Sequence, residues 1–293
     1  MPEARAGAEG DPQAYCTALT RASGSNFYYA FLPLPRRRRD ALFVIYAFCR
    51  FADDIVDEEP DRARAAALLA AWRQECAAAL AGHATHPITQ RLAEVVAEFR
   101  INPALPFDLL DGMAMDLEPV HYADFAALRA YCYRVASVVG MMCVPVFGCA
   151  HPDAMRFADA HGMAFQLTNI LRDVAKDARN GRVYLPQDDL ARFGVTIDDL
   201  ARGRYTPGFR ALMLFQCERA RGYYREARAI ARSLPAADRG ALLPSRIMGA
   251  IYGALLDEMA EREFRTVAPV SLSTPCKLYL AARAWLDHLA DRW

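Results

Sequence analysis

No C-x-x-C pair and no H-E-x-x-H helix occurs among these 293 residues, and the six histidines form no ligand pattern, so the common zinc arrangements are excluded. An excess of one charge is missing too. Lys+Arg and Asp+Glu each total 35, which leaves no basic field to recruit a nucleic acid, and no nucleic-acid partner is expected. No stretch alternates polar and apolar residues between turn signals, so strands are not expected to build the fold. The longest uncharged run, Val135 to Pro152, lacks the about 20 unbroken apolar residues a membrane span needs. Interrupted by Gly140, Pro145 and Gly148, it reads as a buried core helix with a break. An apolar h-region is absent from Met1 to Pro12, so no signal peptide is expected and residues 1–12 read as a disordered tail. No repeat or Gly/Ser-rich linker divides the remainder, and residues 13–293 are expected to form one domain. The eight cysteines read as reduced core residues of a cytoplasmic protein rather than as a disulfide scaffold, which is normally small and secreted.

What is present is helical. A hydrophobic share of 54% is ample for a large core, alanine and leucine are abundant, and breakers such as Pro60, Pro87, Asn180-Gly181, Pro207, Pro244 and Pro275 divide the chain into segments of ordinary helix length. The expected fold is therefore all-α, one bundle around one core. Two segments, Ala41 to Phe51 and Gly162 to Val174, are apolar almost all round and belong in the interior. Each runs directly into a cluster of acid.

The first cluster holds Asp53 and Asp57, four residues apart and so on one helix face. In the second, Asn169, Asp173 and Asp177 recur every four residues as a polar stripe on an apolar helix. Like charges at this spacing cost a helix roughly 0.2–0.5 kcal/mol per pair. Both clusters also precede a stop, Pro60 or Asn180-Gly181, where the helix dipole already disfavours negative charge. Cations between the carboxylates remove both penalties, and Mg²⁺, which takes carboxylate oxygens and shares itself with substrate phosphates, is the natural one. One such pair alone reads as a solvated helix end. Two, each ending a buried helix beside an arginine, read as a metal and diphosphate site, with Arg50 and Arg172 as the phosphate-binding cations.

These motifs closely resemble the squalene/phytoene synthase family. The second acidic motif is embedded in Phe165-Gln-Leu-Thr-Asn-Ile-Leu-Arg-Asp and followed by Gly181-Arg-Val-Tyr-Leu-Pro186, and the resemblance runs from about Tyr15 to about Trp285. Within the family, Ser23-Gly-Ser-Asn-Phe-Tyr-Tyr-Ala-Phe31, Asp111-Gly-Met-Ala-Met-Asp116 and Tyr131-Cys-Tyr-Arg-Val-Ala-Ser-Val-Val-Gly140 are most similar to the bacterial presqualene diphosphate synthases of hopanoid biosynthesis. The resemblance implies an isoprenoid-synthase helical bundle with a central apolar cavity. By position it implies that Asp53, Asp57, Asn169, Asp173 and Asp177 hold two or three Mg²⁺ ions with the substrate diphosphate, Mn²⁺ being a substitute. It places Ser23, Gly24, Ser25, Asn26, Phe27, Tyr46, Gln166, Lys176 and Tyr252 at the substrate, and assigns Tyr131 to the chemistry with Arg50 and Arg172. Asn26 stands where many relatives have serine, and Ala268-Pro-Val-Ser lacks a basic residue that some relatives carry.

The implied reaction condenses two farnesyl diphosphates. One loses diphosphate to give an allylic cation, the acceptor's double bond attacks it, and proton loss closes a cyclopropane. Two proton acceptors stay open, the released diphosphate and Tyr131. Phe27, Tyr28, Phe51 and Phe165 are candidates to line the channel, with plain core packing the first reading of each, as it is for Met113 and Met115. No NADPH is expected. Phytoene, dehydrosqualene or complete squalene synthesis, and a non-catalytic helical scaffold, are the alternatives. The amphipathic stretch Lys277 to Trp293 reads as a docked final helix, with peripheral membrane contact at product release, and hand-over to downstream isoprenoid enzymes, as partner expectations.

Overall fold

Helices account for nearly all of the architecture, and most of them begin where the sequence supplies a first-turn signal. The structure, a computed structural model, describes residues 11–23, 26–32, 34–265 and 270–290. In chain order these form α1 (Pro12–Ala22), α2 (Asn26–Phe31), α3 (Arg36–Glu58), α4 (Arg62–Leu80), α5 (Pro87–Glu98), α6 (Leu105–Met115), α7 (Phe125–Cys132), α8 (Val138–Phe147), α9 (Asp153–Arg179), α10 (Gln187–Phe193), α11 (Ile197–Ala201), α12 (Pro207–Ser233), α13 (Ala236–Ala241), α14 (Leu243–Glu261) and α15 (Thr274–Leu289). Proline occupies the first turn of α1, α5, α6, α12, α14 and α15. There its missing N–H is no loss, because first-turn donors have no partner within the helix. Several prolines expected as stops are thus starts. Asp61, Asp124, Thr206 and Ser273 cap α4, α7, α12 and α15 by accepting first-turn N–H groups.

The two helices that end in acid lie in the core, as their composition requires. α3 packs on α1, α4, α5 and α8, and α9 packs on α8, α11, α12 and α14. All eight cysteines are free thiols.

The run from Val135 to Pro152 differs from expectation. The helix is continuous over Phe125–Phe147, and its irregularity lies earlier, in a π-helical turn at Tyr133–Ser137 between α7 and α8. Gly140 is ordinary helix interior, Pro145 sits in the last turn, and Gly148 ends the helix at a φ of 92°. This segment is long and apolar enough to cross a membrane, and half of its most apolar stretch is buried within the fold. Two glycines let neighbours close on the π turn. A Cβ on Gly162 of α9 would lie 2.6 Å from the Ser137 Cα, and one on Gly112 of α6 would lie 2.7 Å from the Arg134 Cβ. Gly162→Ala is accordingly expected to destabilise the fold by about 1–3 kcal/mol, the cost of overpacking. A lowered midpoint in thermal melts checks this, and an unchanged midpoint would mean that the backbone around Ser137 yields freely.

Strand is confined, among the described residues, to β1 (Val120–His121) and β2 (Arg182–Val183), which pair in parallel with Val120 opposite Arg182. Short as it is, this pairing positions part of the site. At the other end of the chain, α15 docks on α14 and buries Ala284. It turns Leu278, Tyr279, Trp285, Leu286 and Leu289 outward.

Candidate active site

The last turns of α3 and α9 bring their acids to one place. On α3, Arg50 bonds Asp54 at 2.5 Å and Asp53 at 3.4 Å. On α9, the guanidinium of Arg172 donates to both oxygens of Asp173, at 3.0 and 2.5 Å. Burial, then the neighbouring charge of Asp57, pushes the Asp53 carboxyl up to about 6. Burial, then Asp173, pushes Asp177 up to about 7, and the charge of Asp57 reaches Asp177 as well. The two acidic helix ends therefore crowd each other across the gap between α3 and α9, a cost no purely structural role would require.

A third element enters here that the spacing of acids does not reveal. Arg182, delivered by β2, donates to Asp57 at 2.5 Å and to the Val56 carbonyl at 3.4 Å. Burial works against its charge, but the hydrogen bond and charge of Asp57 outweigh it and hold the guanidinium above its usual range. At the end of α6, Asp116 accepts hydrogen bonds from Tyr131 at 2.7 Å and Tyr184 at 2.8 Å. Burial raises the Asp116 carboxyl, the two tyrosines counter this, and Asp57 adds to it. Tyr131, 4% exposed, packs with Tyr122 and Tyr184 at ring-centroid distances of 5.6 and 5.2 Å. Burial, reinforced by Asp116, pushes its hydroxyl well above the ordinary phenol range, so it stays protonated at neutral pH and donates a hydrogen bond to Asp116.

Beside the acids opens a cavity of about 480 Å³. Ser23, Phe27, Tyr46, Arg50, Asp53, Gln166, Asn169, Arg172 and Tyr252 all line it, so nine of the sequence-derived residues share one wall system. Its charged residues are Arg50, Asp53 and Arg172, joined by the polar Asn169, Gln166, Ser23 and Ser245, and most of the remaining wall is hydrocarbon and aromatic, including Phe31, Leu42, Phe147, Phe157 and Met248. Phe27 packs on Phe31 and Tyr46, and Phe165 on Tyr252 at 4.7 Å.

Other expected residues lie elsewhere. Gly24, Ser25 and the side chains of Asn26 and Tyr28 fall outside the described residues. Asp57, Asp173 and Asp177 sit beyond the cavity lining, at its acidic end, and Tyr131 lies off the cavity, as does its hydrogen-bond partner Asp116. Lys176 is exposed and does not line the cavity, although its charge lowers the Asp177 pKa. While Phe27 and Phe165 line the cavity, Phe51 follows the core-packing reading, against Trp72 at 4.2 Å and His86 at 5.1 Å. It precedes Asp53 by two residues, about 200° around the helix, so the face that offers Asp53 to the cavity turns Phe51 away. Met113 lines the cavity, while Met115 packs in the second apolar cluster.

The donor set fits a hard divalent ion. The candidate donors are carboxylates plus the side-chain oxygen of Asn169, whose Oδ1 is buried without a hydrogen-bond partner. Among the described residues, no three acids, histidines or cysteines converge closely enough to hold an ion alone. Oxygens from a bound diphosphate would complete such a shell, the usual arrangement for Mg²⁺.

Comparison with known proteins agrees with this geometry. The squalene/phytoene synthase family pattern matches residues 20–280. The chain is 35% identical over 268 residues to a phytoene synthase of Arthrospira platensis, covering 87% of this chain and 85% of that one. It is 35% identical over 262 residues to the 15-cis-phytoene synthase of Synechococcus elongatus, covering 85% and 84%. Among solved structures it resembles a dehydrosqualene synthase in complex with ligand, with a TM-score of 0.85 and 29% identity over 95% of this chain and 97% of that one. A squalene synthase from Alicyclobacillus acidocaldarius matches with a TM-score of 0.76 and 30% identity, covering 88% and 95%.

Proposed function

This chain belongs to the squalene/phytoene synthase family, and from that premise we propose that it is a Mg²⁺-dependent prenyl transferase joining two farnesyl diphosphates head to head, with presqualene diphosphate and free diphosphate as products. The observation that carries this reading is one cavity with a charged end and a hydrocarbon interior, set against two facing acidic helix ends.

Asp53, Asp57, Asn169, Asp173 and Asp177 would hold the Mg²⁺ ions against the substrate diphosphate. Bound there, the metal supplies charge that offsets the negative charge building on the leaving group. Arg50 and Arg172 line the same end and turn charge-assisted N–H donors toward the diphosphate oxygens. Their own carboxylate partners, Asp54 and Asp173, hold these guanidinium groups in place before substrate arrives. Phe27, Phe165 and Tyr252 present ring faces to the allylic cation and keep water from it. Tyr131 keeps its proton and commits it to the hydrogen bond with Asp116, so the pair acts as a unit at the edge of the site. The released diphosphate, held at the charged end, is then the simpler acceptor of the proton lost on ring closure.

Phytoene formation from the four-isoprene substrate is the second reading, favoured by the identity to phytoene synthases. Product analysis decides between them. Purified protein given labelled farnesyl diphosphate and Mg²⁺ is expected to accumulate presqualene diphosphate, seen as presqualene alcohol after phosphatase treatment, with or without NADPH. Squalene appearing only with NADPH would make it a complete squalene synthase. A higher kcat/KM for geranylgeranyl diphosphate, with phytoene as product, would move it to the other branch.

A further inference from the structure

A second cavity, of about 390 Å³, lies behind the first, between α9, α12, α14 and α15. The two share two lining residues, Phe157 and His161. The second chamber is walled by the small residues Ala227, Gly249, Ala250 and Gly253, of which Gly249 lies against His161, together with Tyr224 and several arginines and aspartates.

His161 is placed to separate the chambers. It continues the four-residue stripe of α9 that holds Asp177, Asp173, Asn169 and Phe165. At about 1.5 Å per residue it therefore lies roughly 18 Å along the axis from Asp173, at the far end from the diphosphate site. Its ring is 8% exposed and wedged by Phe157 at 4.9 Å and Phe165 at 4.3 Å. From α14, Gly249 makes room for it, since a Cβ there would lie 2.7 Å from His161 Nε2. No hydrogen bond anchors the imidazole among the described residues, so packing alone holds it. Burial depresses its pKa to about 3, which keeps it neutral beside a hydrocarbon.

A tail whose diphosphate sits at the acidic end extends along this stripe toward His161. Resting on the proposed prenyl-transfer reaction, we propose that His161, seated with Phe157 between the two cavities, is the partition that sets the longest prenyl tail the site accepts. Removing the imidazole joins the chambers and gives the tail end somewhere to go.

The test compares allylic diphosphates of three, four and five isoprene units as substrates for the wild type and variants. The wild-type optimum reports on the proposed reaction, and an optimum at four units would overturn the farnesyl reading while leaving the partition intact. His161→Ala is expected to move the optimum one unit longer, raising the longer-to-shorter ratio of kcat/KM by about tenfold or more, the scale at which apolar pockets discriminate chain length. His161→Phe, which keeps a ring, should hold the wild-type ratio. A folded His161→Ala protein with an unchanged ratio overturns the proposal. Ala250→Leu, which fills the second chamber alone, provides a test independent of how well His161→Ala folds. It should leave turnover of the preferred substrate unchanged in the wild type and cancel the gain in His161→Ala. Slowed wild-type turnover would mean that tails already pass the partition, and would also overturn it.

Discussion

Asp57→Asn and Asp173→Asn are each expected to lower kcat on the order of 10²–10³-fold, the cost of losing one preorganised electrostatic contact to the leaving group. Helical circular dichroism should not change. Both carboxylates belong to pairs that cross between structural pieces or anchor a substrate-facing cation. Asp57 takes a hydrogen bond from Arg182, 125 residues away, and Asp173 takes two from Arg172. An amide in either place keeps the shape and removes the charge. Both pairs are partly exposed at the acidic end, so their loss should show in turnover far more than in stability. Asp54→Asn is expected to be milder, because Asp54 points about 100° away from Asp53 around α3 and acts through Arg50. Steady-state kinetics of the three variants settles the order. An essential Asp54 beside a dispensable Asp57 would show that the wrong face of α3 had been assigned to the substrate.

The parts of the site that were legible in the sequence are those that depend on one helix at a time. Asp53 with Asp57, and Asn169 with Asp173 and Asp177, announce a shared face because four-residue spacing is a local rule. The all-α fold follows for the same reason, since helical periodicity needs no knowledge of neighbours. What escaped depends on contacts between distant segments. Arg182 reaches Asp57 because a two-residue strand pairs with Val120 and His121, a pairing too short to leave any alternating pattern. Asp116 meets Tyr131 and Tyr184 across gaps of 15 and 68 residues. Asp116, Arg182 and Tyr184 were all inside stretches that marked the family resemblance, which was the available signal. For Phe51 the sequence offers both channel lining and core packing, and helix rotation decides for packing toward α4. The π turn at Tyr133–Ser137 is likewise invisible locally; in the fold it lies where Gly112 of α6 and Gly162 of α9 approach closely.

Chelation is expected to abolish turnover completely, and added Mg²⁺ to restore it, with Mn²⁺ able to substitute. Full turnover in excess EDTA would remove the basis of the proposed reaction. The pH dependence makes the same claim quantitative. Asp53 at about 6 and Asp177 at about 7 hold protons that any divalent ion must displace. The half-saturating Mg²⁺ concentration should therefore rise as pH falls from 7.5 to 5.5, by about tenfold per unit for each proton released. Stability has its own sign. Both carboxyls titrate higher in the folded chain than the ordinary 3.8, so in the metal-free protein their contribution is complete below about pH 4 and is lost as pH climbs through 6 and 7. Metal with diphosphate favours the ionised form and reverses that loss. The rise in Tm on adding Mg²⁺ and inorganic diphosphate together should then be small at pH 5.5 and largest near pH 8, and Asp177→Asn should flatten the trend. A Tm increment that is the same at both pH values would mean that the ion binds without Asp53 and Asp177.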